Sequence, residues 1–359
     1  MDVSNRYYSL DLLKFVLSIF IVFHHFQQDT AIFFRHINFY GGIFNFAYCV
    51  ELFFMISGFL AMIRKTNVQD SSFKEYLYNK IRRFFPMSAL SVTVMLMLQI
   101  VYYLINGIWY NGLKPDIYKV FNSFLLTFSG GSILCGRGIN NPLWFLSVLI
   151  KCQIILWLIL KLCKKYNWDP VYLSVFMISI GTAIVSYEID LPFFNEEAGR
   201  GYAGFFLGTV LYCFYQNVDR RRISILSCLV FAVCFCLGLI DHSTFYEYEW
   251  GAYTFVLLPC ILIIALSFER FLRKNFISTL GKVSFEVYIW HAPFIYLMEI
   301  LFSLMPGLKE GVEPHLLMAV FTVTVLACSF LMHHFVEKKA EGAFVNMIRF
   351  FKGESEKAS

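Results

Sequence analysis

Tyr8-Ser9-Leu10-Asp11-Leu12-Leu13-Lys14-Phe15-Val16-Leu17-Ser18-Ile19-Phe20-Ile21-Val22-Phe23-His24-His25-Phe26 is the stretch on which the fold turns. It fills an apolar run over 7–26, long enough to cross a bilayer core of roughly 30 Å as a helix. It is not a cleavable leader, because it is long, carries Asp11 and Lys14, and is followed by no A-x-A site. Further apolar runs lie at 43–63, 85–106, 142–162, 171–189, 202–216, 223–240, 251–268, 281–303 and 314–336. The expected fold is all-α: a polytopic membrane bundle of about ten transmembrane helices over 1–340, with a short cytoplasmic tail at 341–359. A half-apolar stretch near 117–129 is expected in the interface or re-entering the membrane.

Composition agrees with this reading. Of 359 residues, 58% are hydrophobic, 15% are charged and 41 are Phe. A soluble domain carries roughly 25% charged residues. Disorder, a nucleic-acid module and most soluble enzymes are thereby excluded. The net charge of +5 is too small to demand a polyanionic partner, and no nucleic acid is expected. The ten cysteines are scattered, with no C-x-x-C pair, so neither a disulfide framework nor a zinc site is expected.

The loops set orientation. Basic residues follow alternate runs: Arg64, Lys65, Lys74, Lys80, Arg82 and Arg83, then Lys161, Lys164 and Lys165, then Arg220 to Arg222, then Arg270, Arg273, Lys274 and Lys282, then Lys338, Lys339, Arg349 and Lys352. The intervening loops carry Glu188, Asp190, Glu196 and Glu197, or Asp241, Glu247 and Glu249. By the positive-inside rule both termini are cytoplasmic, in a multi-pass protein of the plasma or inner membrane. The loop 107–141, with Lys114, Lys119 and Arg137, is the exception.

Charges within a span cost at least a few kcal/mol, so each is a functional candidate. On a helical wheel Asp11, Lys14 and His25 share one face, and His24 points about 100° away. The face carries an ion pair at its cytoplasmic end and an imidazole about 21 Å further out. Glu51, in the outer half of the second run, falls near the depth of His25. It could orient that base, or pair within the bundle. His25, Glu51 and Asp11 are the candidate catalytic residues. Lys80-Ile81-Arg82-Arg83-Phe84-Phe85-Pro86 reads as a stop-transfer cluster or a phosphate clamp, with Pro86 opening the third span. In Asn140-Asn141-Pro142-Leu143-Trp144, Trp144 suits an interfacial belt, or with Asn141 a sugar-binding wall. Ser57-Gly58 and Gly201, Gly204 and Gly208 point to close helix packing.

These pieces, in order, resemble the integral-membrane acyltransferase 3 family, which O-acylates cell-surface carbohydrates. The resemblance covers nearly the whole chain. It rests on Leu10-Asp11-Leu12-Leu13-Lys14 with His25, on Val50-Glu51-Leu52-Phe53-Phe54-Met55-Ile56-Ser57-Gly58, and on Arg82 to Pro86. Pro142-Leu143-Trp144-Phe145-Leu146, Leu280 to His291 and Phe335-Val336-Glu337-Lys338 complete it. Lys14 and Lys80 stand where members usually have Arg.

The resemblance implies acyl-CoA, expected to be acetyl-CoA, as cytoplasmic co-substrate, its phosphates held by Lys14, Lys80, Arg82 and Arg83. His25 would be general base or transient acyl carrier. Trp144, Asn141, His291 and Glu337 are the candidate substrate-binding residues. On this reading His25 lines a cavity open to the outside that meets a cytoplasmic channel lined by Lys14 and Arg83. The acceptor would be a hydroxyl of a surface glycan or its lipid-linked precursor. Membrane lipids are the other partners, no metal is expected, and an oligomer is left open. The alternatives are a transporter or flippase for a polysaccharide intermediate, and an unrelated membrane acyltransferase using a His291 that sits mid-membrane, away from His25.

Overall fold

The computed structural model describes residues 6–35, 37–41, 45–112, 114–127, 138–240, 249–272 and 274–351. Arg137, Asp241, Glu247, Arg273 and Lys352 lie outside them, as does the end of the tail. Among the described residues the fold is all-helical; the sole β-type pairing is an isolated bridge between Leu191 and Phe194.

The helices are α1 (Tyr8–Thr30), α2 (Cys49–Ile63), α3 (Lys65–Asp70), α4 (Phe73–Asn106), α5 (Ile117–Leu125), α6 (Trp144–Tyr166) and α7 (Pro170–Ser186). There follow α8 (Glu196–Asn217), α9 (Arg220–Ile240), α10 (Glu249–Ser267), α11 (Asn275–Leu304), α12 (Pro306–Gly311), α13 (Pro314–Leu331) and α14 (Glu337–Phe351). Two are interrupted or extended by π-helical turns, Tyr253–Leu257 within α10 and Met332–Val336 between α13 and α14.

Every expected apolar run coincides with a helix, and eight helical stretches are long and apolar enough to cross a membrane. The other two fall short for different reasons. α7 has 17 residues, and α8 opens on Glu196, Glu197 and Arg200. The stretch near 117–129 contains the short helix α5, whose Ile117, Tyr118 and Phe121 are exposed, as in a helix lying at an interface. Pro86 does not open a span. It lies inside α4, which begins twelve residues earlier than the apolar run, at Phe73 rather than residue 85. With no N–H at Pro86, the carbonyl of Arg82 one turn earlier has no helical partner.

Several tight seams hold the bundle. In one, α7 lies on α8, where a Cβ on Gly181 would strike the Ala203 backbone nitrogen and the Gly199 carbonyl. α2 packs on α8, where a Cβ on Gly58 would strike the Phe205 carbonyl and one on Gly208 the Met55 carbonyl. A Cβ on Gly204 would press, less severely, on the Glu51 carbonyl. The glycines therefore bring two backbones into direct contact, as the sequence reading expects. A further seam joins α1 to α11, where Gly281 leaves room for the Asp11 side chain. α4 packs against α11 from the far side. The beginning of the tail is not free: α14 lies on α4, with Phe344 5.1 Å from the Phe85 ring.

Candidate active site

α1 carries polar groups at both ends of one face. Near its start, the buried Asp11 carboxylate receives Arg6 Nε at 2.6 Å and Lys14 Nζ at 2.7 Å. Arg6 is tied in turn to the Ser278 carbonyl of α11 at 2.9 Å. Asp11 is thus consumed by two cations, about 21 Å along the helix from His25. The geometry gives Asp11 the place of organiser of the basic end, away from the imidazole.

At the other end, His24 and His25 part as the wheel requires. His24 is buried, and its Nδ1 donates to the Phe39 carbonyl at 3.1 Å. His25 is partly exposed and its Nδ1 lies 2.8 Å from Gln28 Oε1, which only accepts. With the proton on Nδ1 this contact is a hydrogen bond, and Nε2, which has no hydrogen bond among the described residues, keeps the lone pair a general base needs.

Glu51 does not orient His25. Its buried carboxylate is gripped by Arg200, with Nε at 2.5 Å and Nη2 at 3.0 Å, and it accepts from Trp250 Nε1 at 3.1 Å. Arg200 also donates to the Ala47 carbonyl at 3.0 Å and lies 5.5 Å from the Trp144 ring. The bidentate guanidinium fork out-competes a neutral imidazole for a carboxylate. Trp144 therefore joins Glu51 through Arg200, while Asn141 opens the short 3₁₀ turn Asn141–Leu143 just before it.

His291 lies beside His25, with ring centroids 5.0 Å apart and planes 27° apart. The expected difference in depth fails because α11 begins at Asn275, six residues before the apolar run, which carries His291 about 9 Å further along. His291 is fully buried, and among the described residues neither ring nitrogen makes a hydrogen bond of good geometry. The Tyr288 hydroxyl donates to the Pro142 carbonyl, and Asn140 Nδ2 donates to the Ile289 carbonyl at 3.1 Å. These bonds fix the turn before Trp144 against the helix that carries His291.

At the basic end, Asn79, Arg82, Arg83, Pro86 and Met87 of α4, with Glu337 and Glu341 of α14, line an open cavity of about 250 Å³. Ligand pockets span about 300–1,000 Å³, so this one suits a phosphate-sized group better than a whole nucleotide. Arg82 Nε pairs with Glu341 at 2.5 Å, half in solvent, and Arg83 is exposed in the combined field of Glu337, Asp11, Arg64 and Arg6. Glu337 thus joins the cationic residues. Lys80 does not line the cavity; it sits about 100° around α4 from Asn79, over the Tyr76 ring at 5.1 Å. Neither Lys14 nor His25 lines it, so it is not the expected continuous channel.

Sequence reasoning missed Gln28, Arg200, Asn140 and Trp250. Arg200 had a signal: it is a lone cation one turn before a glycine-rich apolar run.

Residues 7–334 match the family model described as an acyltransferase domain, acyltransferase 3. An O-acetyl transferase of Shigella phage Sf6 is 26% identical over 299 residues, covering 81% of this chain and 83% of that protein. ORF330 of Acidianus two-tailed virus, provisionally named an acetyltransferase, is 25% identical over 253 residues, covering 67% and 71%. No solved structure matches.

Proposed function

The chain belongs to the acyltransferase 3 domain family, and from that premise we propose that it moves an acyl group, acetyl in the first instance, across a membrane between two substrates. The donor is acyl-CoA on the cytoplasmic side. The acceptor is a hydroxyl of a surface glycan or of its lipid-linked precursor on the other. The name of the phage relative, an O-acetyl transferase, supports acetyl and oxygen as the group and the acceptor atom. The loop charges support a plasma- or inner-membrane protein with both termini cytoplasmic and the Arg82–Arg83 cavity facing the cytoplasm. About ten crossings follow if α7 and α8 also span.

The observation that carries the reading is the setting of His25: a partly exposed imidazole whose Nδ1 lies 2.8 Å from Gln28 Oε1 and whose ring sits 5.0 Å from that of His291. In the proposed step, Nε2 takes the proton of the sugar hydroxyl as its oxygen bonds to the thioester carbonyl carbon. The tetrahedral intermediate collapses with cleavage of the C–S bond. The leaving thiolate then recovers the proton from the imidazolium, so acyl ester and free thiol form with His25 restored. Arg82 and Arg83 hold donor phosphate by charge. Trp144 offers a flat apolar face for the sugar, and Asn141 an amide for its hydroxyls.

The test is mass spectrometry of the surface glycan from cells with the wild-type chain, with none, and with His25→Ala at equal membrane abundance. The expected result is one acyl mass per repeat with the wild type alone. An unchanged glycan mass in cells without the chain overturns the acceptor class. An unchanged mass with His25→Ala overturns the role of His25.

A further inference from the structure

Three ligand-type side chains come together at the basic end: the neighbours His333 and Glu337 meet Glu286, which lies far from them in sequence. Glu286 of α11 is fully buried; its Oε2 accepts from Trp290 Nε1 at 3.1 Å, and its Oε1 has no hydrogen-bond partner among the described residues. His333 lies in the π-helical turn Met332–Val336, and Glu337 is the first residue of α14. One donor atom from each of the three lies within 4.8 Å of the other two. His333 Nδ1 approaches Glu337 Oε2 to 2.5 Å, but off the line of a hydrogen bond. A buried carboxylate oxygen with nothing to accept, beside a second carboxylate and an imidazole, leaves an unmet demand for positive charge.

We propose that Glu286, His333 and Glu337 bind a divalent cation of the zinc–manganese class. One imidazole and two carboxylates form a borderline-hard N,O donor set, which suits these ions better than it suits copper(I) or iron–sulfur clusters. Two carboxylates match the charge of a divalent ion. Ligand bonds of about 2.1 Å set donors on a tetrahedral centre about 3.4 Å apart. Closing from the 4.8 Å limit needs at most about 1.4 Å, within reach of side-chain torsions. His333 and Glu337 stand four residues apart on one helical path, which puts both on one face. The third ligand comes from α11, so an ion would clamp the α13–α14 junction to the core of the bundle. Glu337 also lines the Arg82–Arg83 cavity, leaving the fourth position to water or to an oxygen of an anion bound there.

The sequence reading expects no metal because His333 and His334 lie at the opposite membrane end from His24 and His25, and no other His, Cys or carboxylate cluster shows ligand spacing. The proposal is independent of the acyl-transfer reading, since metal content reports it directly. Its rival is a proton shared between Glu286 and Glu337.

The test uses the full-length chain, purified in detergent without a polyhistidine tag. Metal is removed with a chelator, and Co²⁺ is titrated while its d–d absorption is followed; Zn²⁺ then competes. Near one equivalent per chain is expected. Glu286→Gln, which keeps the side-chain shape, and His333→Gln should each weaken Co²⁺ binding at least about ten-fold, the scale seen when even an outer-shell partner of a metal is lost. His315→Ala, at an exposed histidine away from the cluster, should bind as the wild type does. Monodisperse elution identifies the folded variants. Absence of saturable binding overturns the proposal. So does saturable binding that neither Glu286→Gln nor His333→Gln weakens.

Discussion

Breaking the Glu51–Arg200 pair should cost more than its distance from His25 suggests. Glu51 is fully buried and the Arg200 side chain is 15% exposed, so neither charge has water to fall back on. Glu51→Ala removes both guanidinium bonds and the acceptor of Trp250, and leaves Arg200 with the Ala47 carbonyl. Stranding one partner of a buried ion pair costs about 3–5 kcal/mol. Glu51→Gln keeps one accepting oxygen and belongs at the low end, about 3 kcal/mol. At about 2–4 °C per kcal/mol, the loss in melting temperature is on the order of 10 °C. The double variant Glu51→Ala/Arg200→Ala removes both charges and should be less destabilised than the two single losses added together, by at least about 2 kcal/mol. Thermal challenge followed by size-exclusion chromatography in detergent places the wild type, Glu51→Ala, Glu51→Gln, Arg200→Ala and the double variant on one scale. A Glu51→Ala shift under 2 °C, or single losses that merely add, would refute the reasoning.

Three further outcomes are expected. His25→Ala should lower the transfer rate by about 10²–10⁴-fold in a membrane assay, while His24→Ala keeps most of the rate and loses stability, because His24 serves the Phe39 carbonyl; the reverse pattern overturns the tautomer argument. Arg82→Ala/Arg83→Ala should weaken acyl-CoA binding more than acceptor binding, and the wild-type affinity should itself fall with salt, as charge-assisted contacts do; unchanged donor binding in a folded double variant makes the cluster a topology signal alone. A cysteine placed near residue 75 should resist an impermeant reagent applied from outside, and one in 190–200 should react; the opposite labelling inverts the orientation.

The apolar core of each helix was legible in the sequence, and its polar ends were not. A hydropathy window sees only the part of a helix that lies in hydrocarbon. α11 gains a turn at Asn275–Leu280, with Asn275, Ser278 and Thr279, and that turn brings His291 level with His25. α8 gains the turn that holds Arg200, and α1 the turn that holds Gln28. α4 gains three turns, so that Asn79, Arg82, Arg83 and Pro86 share one face and Lys80 leaves it. Angular reasoning within one helix survived, since His24 and His25 separate as the 100° step demands. Pairing between helices did not, because depth alone cannot say which of two cations or imidazoles a carboxylate will meet.

The glycine seam has a mechanical consequence. With the backbones of α2 and α8 touching at Gly58, Gly204 and Gly208, a slide of one residue's rise, about 1.5 Å, would drive side chains into carbonyls. The two helices therefore move as a single stiff plank, bolted at one end by the Glu51–Arg200 pair. Rocking of one half of the bundle against the other is not expected to hinge along this line. Any breathing that admits two large substrates belongs to loosely held members such as α9, in which Ser227 alone is buried among the described side chains. Donor and acceptor would then be brought to a stationary wall, and the wall would not carry either of them across.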